Sequence, residues 1–469
     1  MSEARIERQQ PATGNLLLVL VGLGMAFLLF MAMLGLKTNP GPIYGESNML
    51  YVALVFYAGA AALYMGFGVS GIERYVRLAS ISTTLGLVAN TVAGGHRWYM
   101  AGHPPFSNIY EMLLSFVWTV ALLTLIAEKG YGVKIIGSIT MPLAVVSVIL
   151  MQLMPSEVRP LVPALQSTWL HVHVSLAMLS YAACAVSFAL AMMFLVQDDM
   201  KTESFQLLTS LGMAGVYAAM LLRFSSGDFR VIAYDLARKA EITNDQGQRV
   251  FVTIPDLGWL VVLVLVSTLV PIALHFVARQ SRREAMFNNV NRAMFITLAL
   301  QVVMVAAFVI RVRNGVYMAA NAAAPVPTAL PGSPFILAGM IGSIFAGMLY
   351  LLLVWRRSDL QRMLPTTKVL DQVTYRTICV AFPLLTLMIA TGAYWANQAW
   401  GRYWAWDPKE VWAAITWVVY AGYLHTRITH GWRGRRSAYF AIFGFAVVIF
   451  TFFGVTYLLS GLHSYAAVQ

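Results

Sequence analysis

Long apolar runs separated by short polar segments restrict the fold of this chain more than any other feature of its sequence. A helix that crosses a hydrocarbon core about 30 Å thick needs about 20 apolar residues, because each residue advances the helix by about 1.5 Å. About thirteen runs reach this length or come close to it. They lie near Leu16–Leu36, Met49–Ser70, Val76–Gly94, Tyr110–Ala127, Lys134–Leu153, Trp169–Val196, Leu207–Leu222, Asp256–Val277, Ala293–Ile310, Pro334–Trp355, Thr377–Tyr394, Val411–His425 and Ser437–Leu459. Hydrophobic residues make up 59% of the 469 and charged residues only 11%, too few charges to cover a water-soluble chain of this length. The sequence therefore predicts an all-α fold, a polytopic transmembrane helix bundle.

The basic residues predict the orientation of this bundle. The net charge of +12 comes from Lys and Arg between the apolar runs, whereas a nucleic-acid partner would need them clustered on a soluble face. With the amino terminus inside, about 20 of the 32 Lys and Arg residues fall in inner loops such as Arg279–Arg283, Arg356-Arg357 and Arg433–Arg436, as the positive-inside rule requires. We expect a multi-pass protein in the lipid of the bacterial inner membrane, with the carboxyl terminus outside and Leu16–Leu36 retained as the first span instead of cleaved as a signal peptide.

Two polar segments interrupt the apolar pattern and suggest three parts. Ser225–Pro255 is mixed in charge, and Asn244–Gly247 within it is typical of a turn between two strands. Asn314–Ser333 is rich in Ala and Pro and is predicted to be an extended loop. We expect an amino-terminal helical bundle with an outer histidine loop over residues 1–200, an inserted four-span module with an outer loop at 225–255 over residues 201–370, and a tryptophan-rich segment over residues 371–469.

Six of the 12 tryptophans fall between Trp395 and Trp417, in a stretch that the predicted topology places outside. Its centre reads Trp400-Gly-Arg-Tyr-Trp404-Ala-Trp406-Asp-Pro-Lys-Glu410. An aromatic belt at the membrane boundary is the simpler interpretation, but a belt needs only one or two rings. An aromatic shelf with charged rims suits a large planar ligand with acidic edges. Heme is such a ligand, and Arg402 or Lys409 could pair with its propionates.

Two of the eight histidines are placed so that they can share a ligand. His173 at the start of the Trp169–Val196 span and His463 just beyond the last span both lie at outer ends, and paired imidazoles commonly hold heme iron. His171 is two residues from His173, about 200° around a helix. Only one of these two can face a common site, and the local sequence does not choose between them.

His425 lies at the inner end of its span, in Leu424-His-Thr-Arg427. The span is roughly 25 Å long, so His425 cannot reach the outer site. Polar groups at membrane depth are costly and usually functional. His425 is therefore either a ligand at a second, inner heme position or an interfacial residue beside Arg427.

A further outer loop, between Gly95 and Glu111, carries His103 between Gly and Pro. Ser107 or Asn108 is predicted to cap the helix that begins there. The stiff setting of His103 makes it a candidate third contact to heme or substrate, and Arg97 in the same segment competes as a propionate partner.

Together these segments resemble a known family. Trp400-Gly-x-Tyr-Trp404-x-Trp406-Asp-Pro-Lys-Glu410 is similar to the tryptophan-rich "WWD" signature of heme-handling proteins, and its ending resembles the CcsA (ResC) branch of system II cytochrome c assembly. Four further segments agree with that branch: Gly102-His-x-Pro-x-Ser-Asn-x-Tyr-Glu111, Trp169-Leu-x-x-His173-Val, Leu424-His-Thr-Arg427 followed by Gly431-Trp-Arg-Gly434, and Gly461-Leu-His463-Ser-Tyr-Ala466. The resemblance covers roughly residues 80–200 and 370–469.

The resemblance implies a set of heme contacts. In that family the WWD segment and two outer histidines hold heme on the extracytoplasmic face, which points to His173 and His463 as the axial pair and selects His173 over His171. His425 matches the histidine of an inner heme position, whose second ligand comes from a CcsB (ResB) partner. The other expected contacts are Trp400, Trp404, Trp406, Asp407, Arg402, Lys409 and His103. The segment 201–370 departs from the family pattern as an insertion.

The resemblance also implies the function. We expect the heme-handling subunit of a cytochrome c synthase, or heme lyase, that moves heme b outward and presents it to the two thiols of a CxxCH motif in an apocytochrome c. A CcsB-type membrane protein and a thioredoxin-like thiol reductase are the implied partners. Cys184 and Cys379 both lie in apolar runs, so the acceptor thiols carry the chemistry and the enzyme activity belongs to the complex. The alternatives are a heme exporter or chaperone without attachment activity and, more distantly, a transporter of another amphipathic ligand.

Overall fold

The computed structural model describes residues 44–154, 156, 158, 160–199, 202–235, 240–244, 249–281, 285–313, 315–319, 325–459 and 461–463. The first predicted span, Leu16–Leu36, lies outside these residues, as does the amino terminus. Every other predicted span coincides with a helix over most of its length. The prediction of a mostly helical, multi-pass chain is confirmed, whereas the number of spans and the sides of the two termini stay predictions.

The helices follow one another in chain order. They are α1 (Glu46–Ser70), α2 (Glu73–Ala101), α3 (Ile109–Tyr131), α4 (Gly137–Leu153), α5 (Thr168–Gln197), α6 (Thr202–Met220), α7 (Leu257–Ser281), α8 (Ala285–Val312), α9 (Pro334–Met363), α10 (Thr367–Trp400), α11 (Pro408–Thr429), α12 (Arg435–Ile449), which continues through a π turn at Phe450–Gly454, and α13 (Val455–Leu458). Within the described residues, ten helices are long and apolar enough to cross a membrane. The shorter α4 and the more polar α11, which carries Lys409 and Glu410 in its first turn, are not among those ten.

Local sequence sets where several of these helices begin and end. The Asn108 side chain accepts a hydrogen bond from the Glu111 N–H at 3.0 Å, which confirms the predicted cap of α3. Helix α11 begins with a capping box in which Asp407 caps the first turn and Glu410 accepts from the Asp407 N–H at 3.2 Å. Helix α10 is capped at its end by Gly401, whose φ of 73° is the left-handed conformation that favours glycine.

Helix α5 lies at the centre of the bundle. In the most apolar stretch of α5, 89% of the residues are buried inside the protein, compared with 22% in the corresponding stretch of α10. Helix α5 packs against α3, α10 and α12, and its buried residues include Ala182, Ala185 and Ala189, small side chains that allow close helix approach. Helix α10 instead presents Val380 and Leu387 to the outside, as a helix in contact with lipid can do without cost.

Helices α6 to α9 lie between residues 202 and 363, and α9 also contacts α1, α4 and α5. Short antiparallel strands connect these helices: β1 (Phe224–Ser225), β2 (Asp228–Ile232) and β5 (Phe251–Ile254) form one sheet in the order β1-β2-β5, β3 (Tyr234–Asp235) pairs with β4 (Ala240–Glu241), and β6 (Val316–Tyr317) pairs with β7 (Val326–Pro327). An antiparallel bridge between Val252 and Ala319 joins the two strand-bearing segments.

These strands add detail to two predictions. Most of the predicted turn at Asn244–Gly247 lies outside the described residues, but Thr243 and Arg249 on either side of it form an antiparallel bridge. The predicted extended loop at Asn314–Ser333 contains β6 and β7. The helical class therefore holds for the membrane part of the chain, with short sheets in two connecting segments. The division at residues 200 and 370 stays a prediction.

Candidate functional site

One end of the bundle contains a cavity between the beginnings of α3, α5 and α11, the end of α10 and the segment after α13. The cavity has a volume of about 120 Å³ and is open to the outside. Most of its wall is apolar, from residues of α5 and α10. The residues with polar or aromatic groups on this wall include His173, Trp395, Tyr403, Trp404, Lys409 and His463.

His173 reaches the cavity from the second turn of α5. Its Nδ1 lies 2.7 Å from the carbonyl oxygen of Met388 in α10. Because a carbonyl oxygen can only accept, we assign the ring proton to Nδ1 and the lone pair to Nε2. The ring fits against α10 because residue 392 is glycine, and a Cβ there would lie 2.8 Å from Nδ1. Helix packing thus fixes both the position and the tautomer of this imidazole.

His463 lines the same cavity and belongs to the segment that follows α13. Its Nδ1 donates to Oδ2 of Asp407 at 2.7 Å, so the lone pair again lies on Nε2. The indole of Trp395 lies 5.5 Å from the His463 ring and stacks on His173 at 5.9 Å with an angle of 20°. The two imidazoles that the sequence predicts as a pair therefore line one cavity and share one aromatic neighbour.

The Asp407 carboxylate joins the start of α11 to the segment after α13. Its Oδ2 accepts from the Lys409 N–H at 3.1 Å in addition to His463, and its Oδ1 accepts from the Leu462 N–H. Burial by itself raises the pKa of this carboxyl, but the hydrogen bonds from His463 and the two N–H groups outweigh it and hold the pKa below its ordinary value. Asp407 is therefore an anion, and it is directed at His463.

The tryptophans of the predicted shelf occupy different positions. Trp404 lines the cavity. Trp400, the last residue of α10, packs 5.2 Å from His463 and 4.9 Å from Trp395. Trp406 is 77% exposed and has a φ of 59°. Among the described residues, Trp395 and Trp404 are the tryptophans of the predicted shelf that line the cavity, whereas Trp400 and Trp406 do not line it.

The three candidate cations for a propionate are also separated. Lys409 lines the cavity, and Arg402 is exposed in the loop between α10 and α11. Arg97 is 1% exposed, and its guanidinium lies 2.8 Å from Glu111 and 3.5 Å from Glu46. Since two carboxylates already engage Arg97, Lys409 is the candidate that faces the cavity.

His103 and His171 lie beside the cavity. His103 is half-buried in the loop before α3, with its Nδ1 2.9 Å from the Pro104 carbonyl oxygen. The His171 ring lies 6.5 Å from Phe106. Among the described residues of the lining, His173 is present and His103 and His171 are not. The fold therefore separates His171 from His173, a choice that the sequence by itself leaves open.

His425 lies near the other end of α11, far from the cavity. It is exposed, and its ring lies 5.6 Å from that of His430. Nearby, Arg427 forms a bidentate pair with Asp371 at 2.9 and 2.6 Å and lies 4.5 Å above the ring of Tyr375. Arg427 is therefore engaged with α10, and His425 is left on the surface of the helix.

Several residues of the site are not among those predicted from the sequence. Trp395 belongs to the tryptophan cluster, and that clustering is the signal that could have singled it out. Gly392 and the Met388 carbonyl act on His173 only because α5 and α10 pack closely, which local sequence does not reveal. Glu410 lines the cavity, and its Oε2 accepts from the Ala405 N–H at 2.7 Å. The spacing of Asp407 and Glu410 is that of a capping box, and this is the signal in the sequence that could have placed Glu410 at the start of α11.

Comparison with known proteins shows the family of this chain. The sequence model of the family described as "Cytochrome C assembly protein" matches residues 106–249 and 257–463. The cytochrome c biogenesis protein CcsA of Nostoc punctiforme is 32% identical over 424 residues, which cover 89% of this chain and 94% of that protein. The CcsA protein of Synechococcus elongatus is 34% identical over 378 residues, 79% of this chain and 82% of that protein. The chain belongs to the CcsA family of cytochrome c biogenesis proteins.

Proposed function

We propose that this chain is the heme-handling subunit of a cytochrome c synthase, which moves heme b outward and presents it for thioether attachment to the CxxCH motif of an apocytochrome c. One observation carries the proposal: His173 and His463 line a single cavity, and each is hydrogen-bonded through Nδ1. Two imidazoles with their lone pairs on Nε2 are suited to bind one iron from two sides.

The rest of the cavity suits a porphyrin. The indoles of Trp395 and Trp404 offer flat apolar faces for the macrocycle, and the aliphatic wall from α5 and α10 excludes water from it. Lys409 supplies a cation for a propionate. The same wall would also accept other planar ligands, so the paired histidines are what favour an iron porphyrin.

The position of the cavity supports an outward-facing site. Helix α11 begins at the cavity and ends at Thr429, just before the basic segment Arg433–Arg436. The positive-inside rule places that segment on the cytoplasmic side, and therefore the cavity on the extracytoplasmic side.

His425 is suited to an inner heme position. It lies about 25 Å along α11 from Asp407, and its exposed side chain can meet a ligand from another chain. A CcsB-type partner would supply the second axial ligand there. Heme would then pass from His425 to the outer cavity.

In the attachment step each acceptor thiol adds across a heme vinyl group. The sulfur forms a bond to the vinyl carbon next to the ring, the thiol proton goes to the terminal carbon, and no electrons are gained or lost overall. A thiol reductase partner would keep the acceptor cysteines reduced. This chain contributes position, because holding two reactants in near-attack geometry supplies much of the rate. The acceptor histidine would replace one of the two protein imidazoles to release the product.

The test is co-expression of this chain with a CcsB-type partner and an apocytochrome c in a host without cytochrome c assembly machinery. We expect a covalently attached heme that survives denaturing electrophoresis. The variant His173→Ala should abolish that product, and His171→Ala is the matched control beside it. A red protein with a bis-imidazole spectrum but without thioether product would favour an exporter or chaperone, and a colourless protein would contradict heme handling.

A further inference from the structure

The two candidate iron ligands differ in the chemical nature of their hydrogen-bond acceptors. The Nδ1 of His173 donates to a neutral carbonyl oxygen, that of Met388. The Nδ1 of His463 donates to a carboxylate, that of Asp407, whose side chain is 3% exposed. A hydrogen bond from an imidazole to a carboxylate is about twice as strong as one between neutral groups.

We propose that Asp407 is a positioning residue that acts on heme through His463, not by touching heme itself. It fixes the His463 tautomer, aims Nε2 into the cavity and makes this imidazole the stronger electron donor of the pair. The inference rests on the proposed function, because it requires His463 to bind the iron. Partners of this kind orient metal-binding histidines and raise their basicity, and their loss typically lowers metal affinity about 10–100-fold.

Close backbone contact strengthens the assignment. A Cβ at Gly461 would lie 2.3 Å from Oδ1 of Asp407 and 3.0 Å from Cδ of Pro408. Only glycine allows the segment 461–463 to approach the carboxylate this closely, and that approach brings the His463 imidazole into range. The pairing of Asp407 with His463 therefore depends on a backbone feature outside both residues.

Asp407 also caps α11, and the test must separate the two roles. Asparagine caps a helix about as well as aspartate, so Asp407→Asn keeps the cap and removes the negative charge that faces His463. The effect on the iron ligand can then be measured with free imidazole as the probe.

The experiment uses the full chain, purified with heme and its CcsB-type partner, and compares His463→Gly with His463→Gly/Asp407→Asn. Free imidazole should fill the space left by His463 and restore the six-coordinate spectrum. In the double variant we expect its Kd to be about ten-fold higher. An equal Kd in both proteins would overturn the inference and leave Asp407 as a helix cap only.

A second readout is the reduction potential of the outer heme in the otherwise unaltered chain. A carboxylate partner stabilises the ferric state through a more basic imidazole, so Asp407→Asn should raise the potential. Asp371→Asn, which removes a carboxylate paired with Arg427 at the other end of α11, should leave it unchanged. Equal shifts in the two variants would contradict the inference.

The behaviour of His463→Gly also distinguishes a failure of the proposed function from a failure of the inference about Asp407. If His463→Gly keeps the heme spectrum of the unaltered protein, the ligand assignment is wrong and the proposed function fails with it. If His463→Gly loses that spectrum and imidazole restores it, the assignment of His463 as an iron ligand, which the proposed function requires, stands whatever Asp407→Asn does. Gly461→Ala should reproduce the loss of His463 ligation with the carboxylate still present, and normal ligation in that variant would count against the pairing.

Discussion

Gly392 of α10 lies directly against the imidazole of His173 in α5, so close that a Cβ at residue 392 would be 2.7 Å from Cε1 and 2.8 Å from Nδ1 of the ring. The same ring donates to the Met388 carbonyl one helical turn earlier. His173 is therefore positioned by the approach of two helices, whereas His463 is positioned by a side-chain carboxylate. The two candidate iron ligands should respond to different substitutions.

Gly392→Ala should displace the His173 ring and lower the heme content on the order of ten-fold, as loss of an outer-shell contact does. The fold should persist, because alanine is favoured over glycine in a helix by about 1 kcal/mol. Heme per protein and the visible spectrum of the purified protein provide the measurement. Gly342→Ala in α9, where a Cβ meets nothing within 4 Å, is the matched control. Normal heme content in Gly392→Ala would show that the contact does not hold the ligand.

Replacement of His173 and of His171, two neighbouring histidines on α5, should have opposite effects on heme ligation. His173→Ala should remove the bis-imidazole spectrum of the outer heme, because it deletes one of the two imidazoles that line the cavity. His171→Ala should leave this spectrum in place, because its ring packs toward Phe106. Absorption and electron paramagnetic resonance spectra of the ferric proteins would decide. Loss of ligation in His171→Ala alone would reverse the assignment.

The tryptophans of the 401–407 loop should also differ in their contribution. Trp404→Ala removes an indole from the cavity wall and should weaken heme binding by about 10-fold, the equivalent of about 1.4 kcal/mol of lost aromatic contact. Trp406→Ala removes a ring that is 77% exposed and should change heme binding by less than about two-fold. Heme titration of the apoprotein gives both values. Equal losses would mean that the loop closes over the ligand in another arrangement.

The buried ion pair of Arg97 with Glu111 should matter for stability. Both side chains are 1% exposed, and the removal of one partner from a buried ion pair costs about 3–5 kcal/mol. Glu111→Ala leaves the buried Arg97 with the carboxylate of Glu46, at 3.5 Å. Glu111→Ala should therefore lower the free energy of unfolding in detergent by roughly that amount. Glu73→Ala breaks a pair with Lys134 whose side chains are 59% and 47% exposed, so it should cost at most about 1 kcal/mol. Similar losses in the two variants would refute this distinction.

The helical architecture could be predicted from the sequence because a membrane imposes a simple requirement. Backbone groups in lipid must bond within the same segment, so apolar runs of sufficient length become helices. The Asn108 cap of α3 follows from equally local chemistry. The strands between Phe224 and Pro327 were harder to predict from the sequence, since strands of two to five residues give only a weak pattern.

For the candidate site, the sequence by itself determined which chemical groups are available: paired histidines, a tryptophan-rich segment and flanking charges. Only the tertiary structure decided how they meet. It separated His171 from His173, engaged Arg97 with carboxylates, and turned Asp407 toward His463 instead of leaving it for the ligand. The physical reason is that residue type and helical period are local properties, whereas an imidazole's hydrogen-bond partner depends on which distant helix packs beside it.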